Sequence, residues 1–205
     1  MAIKNRQLKK EAVQLLSCTI QKAIHIPGLH QTYLAGQREA LSEYGLSNLV
    51  PTHFSDEELK STYLVAFYNN HQMLGGVKIN IRAKDTPLPV ERLVSQCPAL
   101  HQLPEKLDKL AATTGVCEMG SLWAAKIWGG RFLSTRMIKT ASDFAFNLGI
   151  GVCLGFIGPA INSALRAGFV HDTSFEPVAY PDNRFQSQVV WRFKKEKWLK
   201  EYGLA

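Results

Sequence analysis

Apolar and polar positions alternate most cleanly in "STYLVAFYNNHQMLGGVKINIRA". An apolar run from Tyr63 to Tyr68 leads to the polar triplet Asn69 to His71, and Val77, Ile79 and Ile81 then alternate with Lys78, Asn80 and Arg82. Runs of strand character around a short polar break predict a β-hairpin whose second strand has one apolar face. Upstream, "CTIQKAI" (Cys18 to Ile24) alternates as a first strand, after a short basic helical lead-in within residues 1–16. "QTYLAGQREALSEYG" places Tyr33, Leu34, Ala40 and Leu41 near one face and stops at Gly45, as a helix ending on glycine does.

Asp85 to Pro104 is proline-rich and reads as a loop holding one short helix around Val90 to Ser95, followed by a helix in "EKLDKLAATT". "GVCEMGSLWAAKIW" reads as a long strand, with Gly120 marking a bulge that re-aims backbone amides. Past Gly130 the apolar residues Leu133, Met137, Ala141, Phe144 and Leu148 recur at spacings of four and three, predicting a helix that stops at Gly149. "GVCLGFIG" reads as a buried strand and "AINSALRAGF" as a helix opened by Pro159. The chain closes in strands, "QSQVVWRF" the clearest, and a basic tail over 194–205. A hairpin followed by alternating helices and strands predicts a mixed α/β sheet, and 205 residues suit a single domain.

Composition narrows the classes. Hydrophobic residues at 46% and charged ones at 20% are those of a folded protein. The net charge of +7 admits nucleic acid, an anionic surface or an acidic partner, but much of the excess sits at the two termini. Basic residues are interleaved with aromatics only in "WRFKKEKW", so nucleic-acid binding rests on charge alone. The four cysteines form no C-x-x-C pair and no tight cluster with histidine, which points to a reducing, cytoplasmic setting without a metal. No run of about 18 uncharged apolar residues is present, so no membrane span is expected. G-x-S-x-G and H-E-x-x-H are also missing.

"KIWGGRFLSTRM" sets Gly129, Gly130 and Arg131 at the start of a helix, where glycines let the first amides point outward toward an anion. Together with the strand before it and "VCLGFIGPAINSALRAGF" after it, this stretch resembles the GNAT acyltransferase superfamily over roughly residues 18 to 193. Two fragments, "AGQREALSEYG" and "CEMGSLW", are similar to the acyl-homoserine lactone synthases and long-chain N-acyl amino acid synthases within it.

The resemblance implies a GNAT-like fold, with a mostly antiparallel sheet whose central strands splay. It implies an N-acyltransferase using acetyl-CoA, a longer acyl-CoA or an acyl carrier protein thioester as donor, and a small-molecule amine as acceptor. Glu118 takes the place of a general base. The backbones of Ala124 and Ala125, with Lys126, Gly129, Gly130, Arg131, Phe132, Leu133 and Asn162, take the places that contact the cofactor. Arg38 and Trp123 are the substrate-side candidates. The chain departs from the family pattern at Arg131, where Gly or Ala is usual, and at Ala164, where many members carry a tyrosine. A GNAT-fold binding module without turnover is the alternative, and a homodimer is compatible with the sequence.

Overall fold

In a computed structural model, which describes residues 16–26, 28–83, 86–125 and 131–195, the hairpin forms as β2 (Thr62–Asn69) and β3 (Gln72–Ile81). Asn70 turns it in the left-handed region, at φ 54. The remaining strands are β1 (Ser17–Lys22), β4 (Val116–Ala124), β5 (Val152–Ile157), β6 (Val170–His171), β7 (Val178–Ala179) and β8 (Gln186–Phe193). The helices are α1 (Leu29–Ser42), α2 (Asp56–Ser61), α3 (Leu103–Thr114), α4 (Arg131–Asn147) and α5 (Ile161–Arg166). One mixed, mostly antiparallel sheet runs in the order β1-β2-β3-β4-β5-β8-β6, with β7 paired to β8 off this path. The lead-in and most of the basic tail lie outside the described residues.

The chain divides into two compact units: residues 1–78 with 121–137, and residues 79–120 with 138–205. In the first, β1 pairs antiparallel with β2 from Ser17↔Tyr68 to Lys22↔Tyr63. Leu29, Tyr33, Leu34, Phe54, Leu64, Met73 and Trp123 form its core. Close approach explains Gly36: a Cβ there would stand 2.2 Å from the Trp123 ring. A capping box starts α2, Ser55 accepting from the Glu58 amide while the Glu58 carboxylate accepts from Ser55.

β3 departs from the one-sided strand the alternation predicts, because Lys78 and Asn80 are buried as well. β3 is an interior strand between β2 and β4, where both faces are covered. Lys78 meets that environment with its ammonium 3.6 Å from Glu58 and 4.7 Å from the centre of the Phe54 ring.

In the second unit the core gathers Leu100, Leu103, Leu107 and Leu110 with Val116, Val152, Leu154, Val189 and Trp191. β4 pairs parallel with β5, and β5 antiparallel with β8. Asp172, 1% exposed, ties the unit together by accepting from Lys106 Nζ at 2.6 Å, Trp191 Nε1 at 2.7 Å and the Ser174 hydroxyl at 2.6 Å. α5 is shorter than the sequence predicts: Pro159 and Ala160 occupy the turn before it.

Candidate functional site

Apolar neighbours carry Glu118 into the interior. Val116, Cys117 and Met119 are buried on β4, and Glu118 among them is 6% exposed. A carboxylate in such a place needs hydrogen-bond donors. The amide of Val90 supplies one, donating to Oε2 at 2.8 Å.

That amide is positioned by an ionic relay. Val90 lies in the 3₁₀ turn Pro89–Leu93, whose Glu91 accepts from the Leu88 amide at 2.8 Å. Arg82 grips Glu91 with two hydrogen bonds, at 2.7 and 3.0 Å, and also reaches Asp108 at 2.8 Å. The bidentate geometry fixes the turn, and the turn aims Val90 at Glu118.

Glu118 also marks the end of a ladder. β4 and β5 are paired through Val116↔Val152, Cys117↔Cys153 and Glu118↔Leu154, whereas β5 runs on against β8 to Ile157. Register partners share a face and so do residues two apart, which puts Glu118, Leu154 and Phe156 on one side of the sheet. Tyr180 lies against Phe156, the two ring centres 5.6 Å apart. Burial pushes the Tyr180 phenol above its ordinary range, and the charges of Glu118 and Cys97 add to the rise. Gly120, two residues past Glu118, leaves space: among the described residues a Cβ there would meet only Glu118 Oε1, at 3.6 Å.

The other residues singled out by sequence fall into separate groups. Lys126, Gly129, Gly130 and the side chain of Arg131 lie outside the described residues. Arg131 is the first residue of α4, Phe132 is half-buried and Leu133 is buried in its first turn. Trp123 packs edge-on against Tyr33 as core, its Nε1 buried without a hydrogen-bond partner among the described residues. Arg38 donates to the Pro51 carbonyl at 2.8 Å, a local tie. Asn162 is exposed on α5, and Ala124 ends β4 half-buried.

Ala125 corrects the sequence reading. Its amide donates to the Leu74 carbonyl at 2.7 Å, so it is taken up by the protein and does not stand ready for a thioester oxygen. The left-handed residue of β4 is Ser121, at φ 53, not Gly120. The hydroxyl of Tyr33 donates to the Ser121 carbonyl and holds that turn of the backbone. Sequence reading missed Val90, Tyr180 and Gly120 as parts of the site. Only Gly120, a glycine inside a strand, carries a signal in the sequence, where it reads as a bulge.

Among the described residues no group of three or more His, Cys, Asp or Glu is placed to hold a metal, and no helix is long and apolar enough to cross a membrane.

A mixed sheet whose parallel central pair separates after a few rungs, followed by a helix that starts just past the end of β4, is the fold of the GNAT acyltransferases and the acyl-homoserine lactone synthases. FeeM, an N-acyl amino acid synthase from uncultured soil microbes, matches with a TM-score of 0.63 at 11% identity, over 92% of this chain and 98% of its own. BjaI, a CoA-dependent acyl-homoserine lactone synthase, matches at 0.60 and 13% identity, over 91% of this chain and 87% of its own. A GNAT-family acetyltransferase from Streptococcus pneumoniae matches at 0.55 and 13% identity, over 86% and 99%. At these identities the likeness is one of fold. No protein-family profile and no curated protein sequence matches the chain.

Proposed function

We propose that the protein is an N-acyltransferase that moves an acyl group from a thioester to a primary amine, with Glu118 as the base. The observation that carries this reading is the buried Glu118 at the last rung of the β4–β5 ladder, one oxygen fixed by the Val90 amide. The similarity in fold to FeeM and BjaI supports it. An amine must lose a proton as its nitrogen attacks the thioester carbon. Glu118 takes that proton, the carbon–sulfur bond breaks, and the proton passes from Glu118 through solvent to the thiolate, which leaves as a thiol beside the new amide. A positioned base of this kind contributes about 10²–10⁴-fold to the rate.

The donor is assigned to the start of α4. α4 begins at Arg131 and no acidic residue stands in its first turn, so the positive end of the helix dipole is left uncompensated by a carboxylate there. Such a turn suits the phosphates of coenzyme A, so acyl-coenzyme A is the donor of choice. The net charge of +7 also suits an acidic acyl carrier protein.

A second reading, a binding module without turnover, is favoured by two observations. The Ala125 amide is spent on Leu74, and buried Ala164 stands where many members of the superfamily the sequence resembles carry a tyrosine. Both readings share donor binding. Short- and long-chain acyl-coenzyme A and an acyl carrier protein thioester are titrated against the purified full chain while its melting temperature is followed. A rise with one of them is expected; no shift with any of them contradicts both readings.

A further inference from the structure

Two causes account for most of the described glycines of this fold, and Gly120 has neither. Gly28, Gly45, Gly115, Gly149 and Gly168 adopt positive φ, where a side chain is strained. At Gly36, Gly75, Gly76 and Gly155 a Cβ would come within 2.2 to 2.7 Å of another atom, so packing forbids one. Gly120 is absent from the positive-φ residues, and a Cβ there would have a single neighbour among the described residues, Glu118 Oε1, at an ordinary contact distance of 3.6 Å. Neither backbone conformation nor close packing calls for glycine here, yet glycine weakens a strand interior. Among the described residues, what it leaves is open space directly beside a buried carboxylate.

We propose that Gly120 is a specificity-determining residue: it keeps clear the volume beside Glu118 in which the acceptor's carbon next to the amine, with its substituent, comes to lie. The class of acceptor that uses this volume is a primary amine branched at that carbon, as in an α-amino acid. An unbranched amine needs less of it. The reaction rests on the acyltransferase reading, while the cleared volume stands on the geometry of β4 alone.

Wild type, Gly120→Ala and Gly120→Val are compared in three measurements. Gly120→Ala is expected to melt at or above the wild-type temperature; a clear fall overturns the inference, because the glycine then has a structural cause. Water-soluble carbodiimide with glycine ethyl ester as the amine probe is expected to label Glu118 in wild type and to label it several-fold less in Gly120→Val, read by peptide mass spectrometry. Equal labelling in both proteins, or a wild-type Glu118 that resists labelling, overturns it.

With acetyl-coenzyme A, a methyl group's worth of lost space in Gly120→Ala is expected to lower kcat/KM for alanine and larger amino acids by about tenfold or more, and to spare glycine. An unchanged ratio overturns the inference. A wild type that is labelled at Glu118 and blocked by valine, but transfers no acyl group, defeats the acyltransferase reading and leaves the cleared volume standing.

Discussion

Glu118 Oε2 and the Val90 amide, 28 residues apart in sequence, meet at 2.8 Å inside the second unit. The bond separates the structural part of Glu118 from its chemical part. Glu118→Gln keeps an oxygen for Val90 and is expected to unfold in denaturant at close to the wild-type midpoint. Glu118→Leu leaves that amide buried without an acceptor and is expected to cost about 1–3 kcal/mol. Equal stability of the two variants would contradict the role given to the bond.

Arg82 acts on the site through Glu91 and is a positioning residue. Its two hydrogen bonds to Glu91 and its bond to Asp108 hold the guanidinium charged. Arg82→Met is expected to cost about 3 kcal/mol, as breaking a largely buried ion pair does. It should also lower kcat with little change in the donor's KM, because the Val90 amide loses its aim. Arg82→Lys keeps the charge without the fork, and should recover part of the stability and less of the rate. A donor KM that rises while kcat holds would count against positioning.

Tyr180 reports the charge on Glu118. Its phenol ionises above the ordinary tyrosine range because of burial first, then Glu118 and Cys97. Removing the carboxylate in Glu118→Gln should move the ionisation down toward the ordinary value without reaching it, since burial remains. Ultraviolet titration, with Tyr180→Phe subtracted, reads the shift; an unmoved transition would place the two groups too far apart to act together. A phenol raised on folding contributes stability that is complete below the unfolded tyrosine's pKa and is lost as pH rises through the folded one. The alkaline limb of the stability curve should therefore flatten in Tyr180→Phe.

Asp172 governs the acid side. Burial alone would raise its carboxyl, but hydrogen bonds from Lys106, Ser174 and Trp191 outweigh that and hold it below the ordinary carboxylate value. A carboxyl lowered on folding contributes stability that is present above its unfolded pKa and is lost as pH falls through the folded one. Asp172→Asn should lower stability at neutral pH by about 3–5 kcal/mol and make the loss toward acid pH shallower. Denaturant midpoints measured from neutral to acid pH test this. Parallel curves for the two proteins would contradict it.

Periodicity made much of the scaffold legible. α1 buries Leu29, Tyr33 and Leu34 and α4 buries Leu133, Met137 and Ala141 along one face, the hairpin and β5 read as apolar runs, and Glu118 is marked by the family resemblance. The rest of the site depends on relations no local pattern encodes. Val90 contributes a backbone amide, which every residue but proline possesses, and its aim depends on Arg82 and Glu91 meeting through folding. Tyr180 directly follows β7, in a stretch the sequence marks only as part of the closing strands. Ala125 looked available because the partner of its amide, Leu74, is set by how β3 lies beside the end of β4. Lys78 looked exposed because alternation cannot tell an interior strand, covered on both faces, from one with a solvated side.

The most direct measurement of the central claim is amide formation itself. The purified full chain is incubated with acyl-coenzyme A, or an acyl carrier protein thioester, and a mixture of α-amino acids, and N-acyl products are followed by mass spectrometry. Wild type is expected to form an N-acyl amino acid, and Glu118→Gln to form it about 10²–10⁴-fold more slowly. No product from wild type with either donor, or an undiminished rate in Glu118→Gln, would contradict the account.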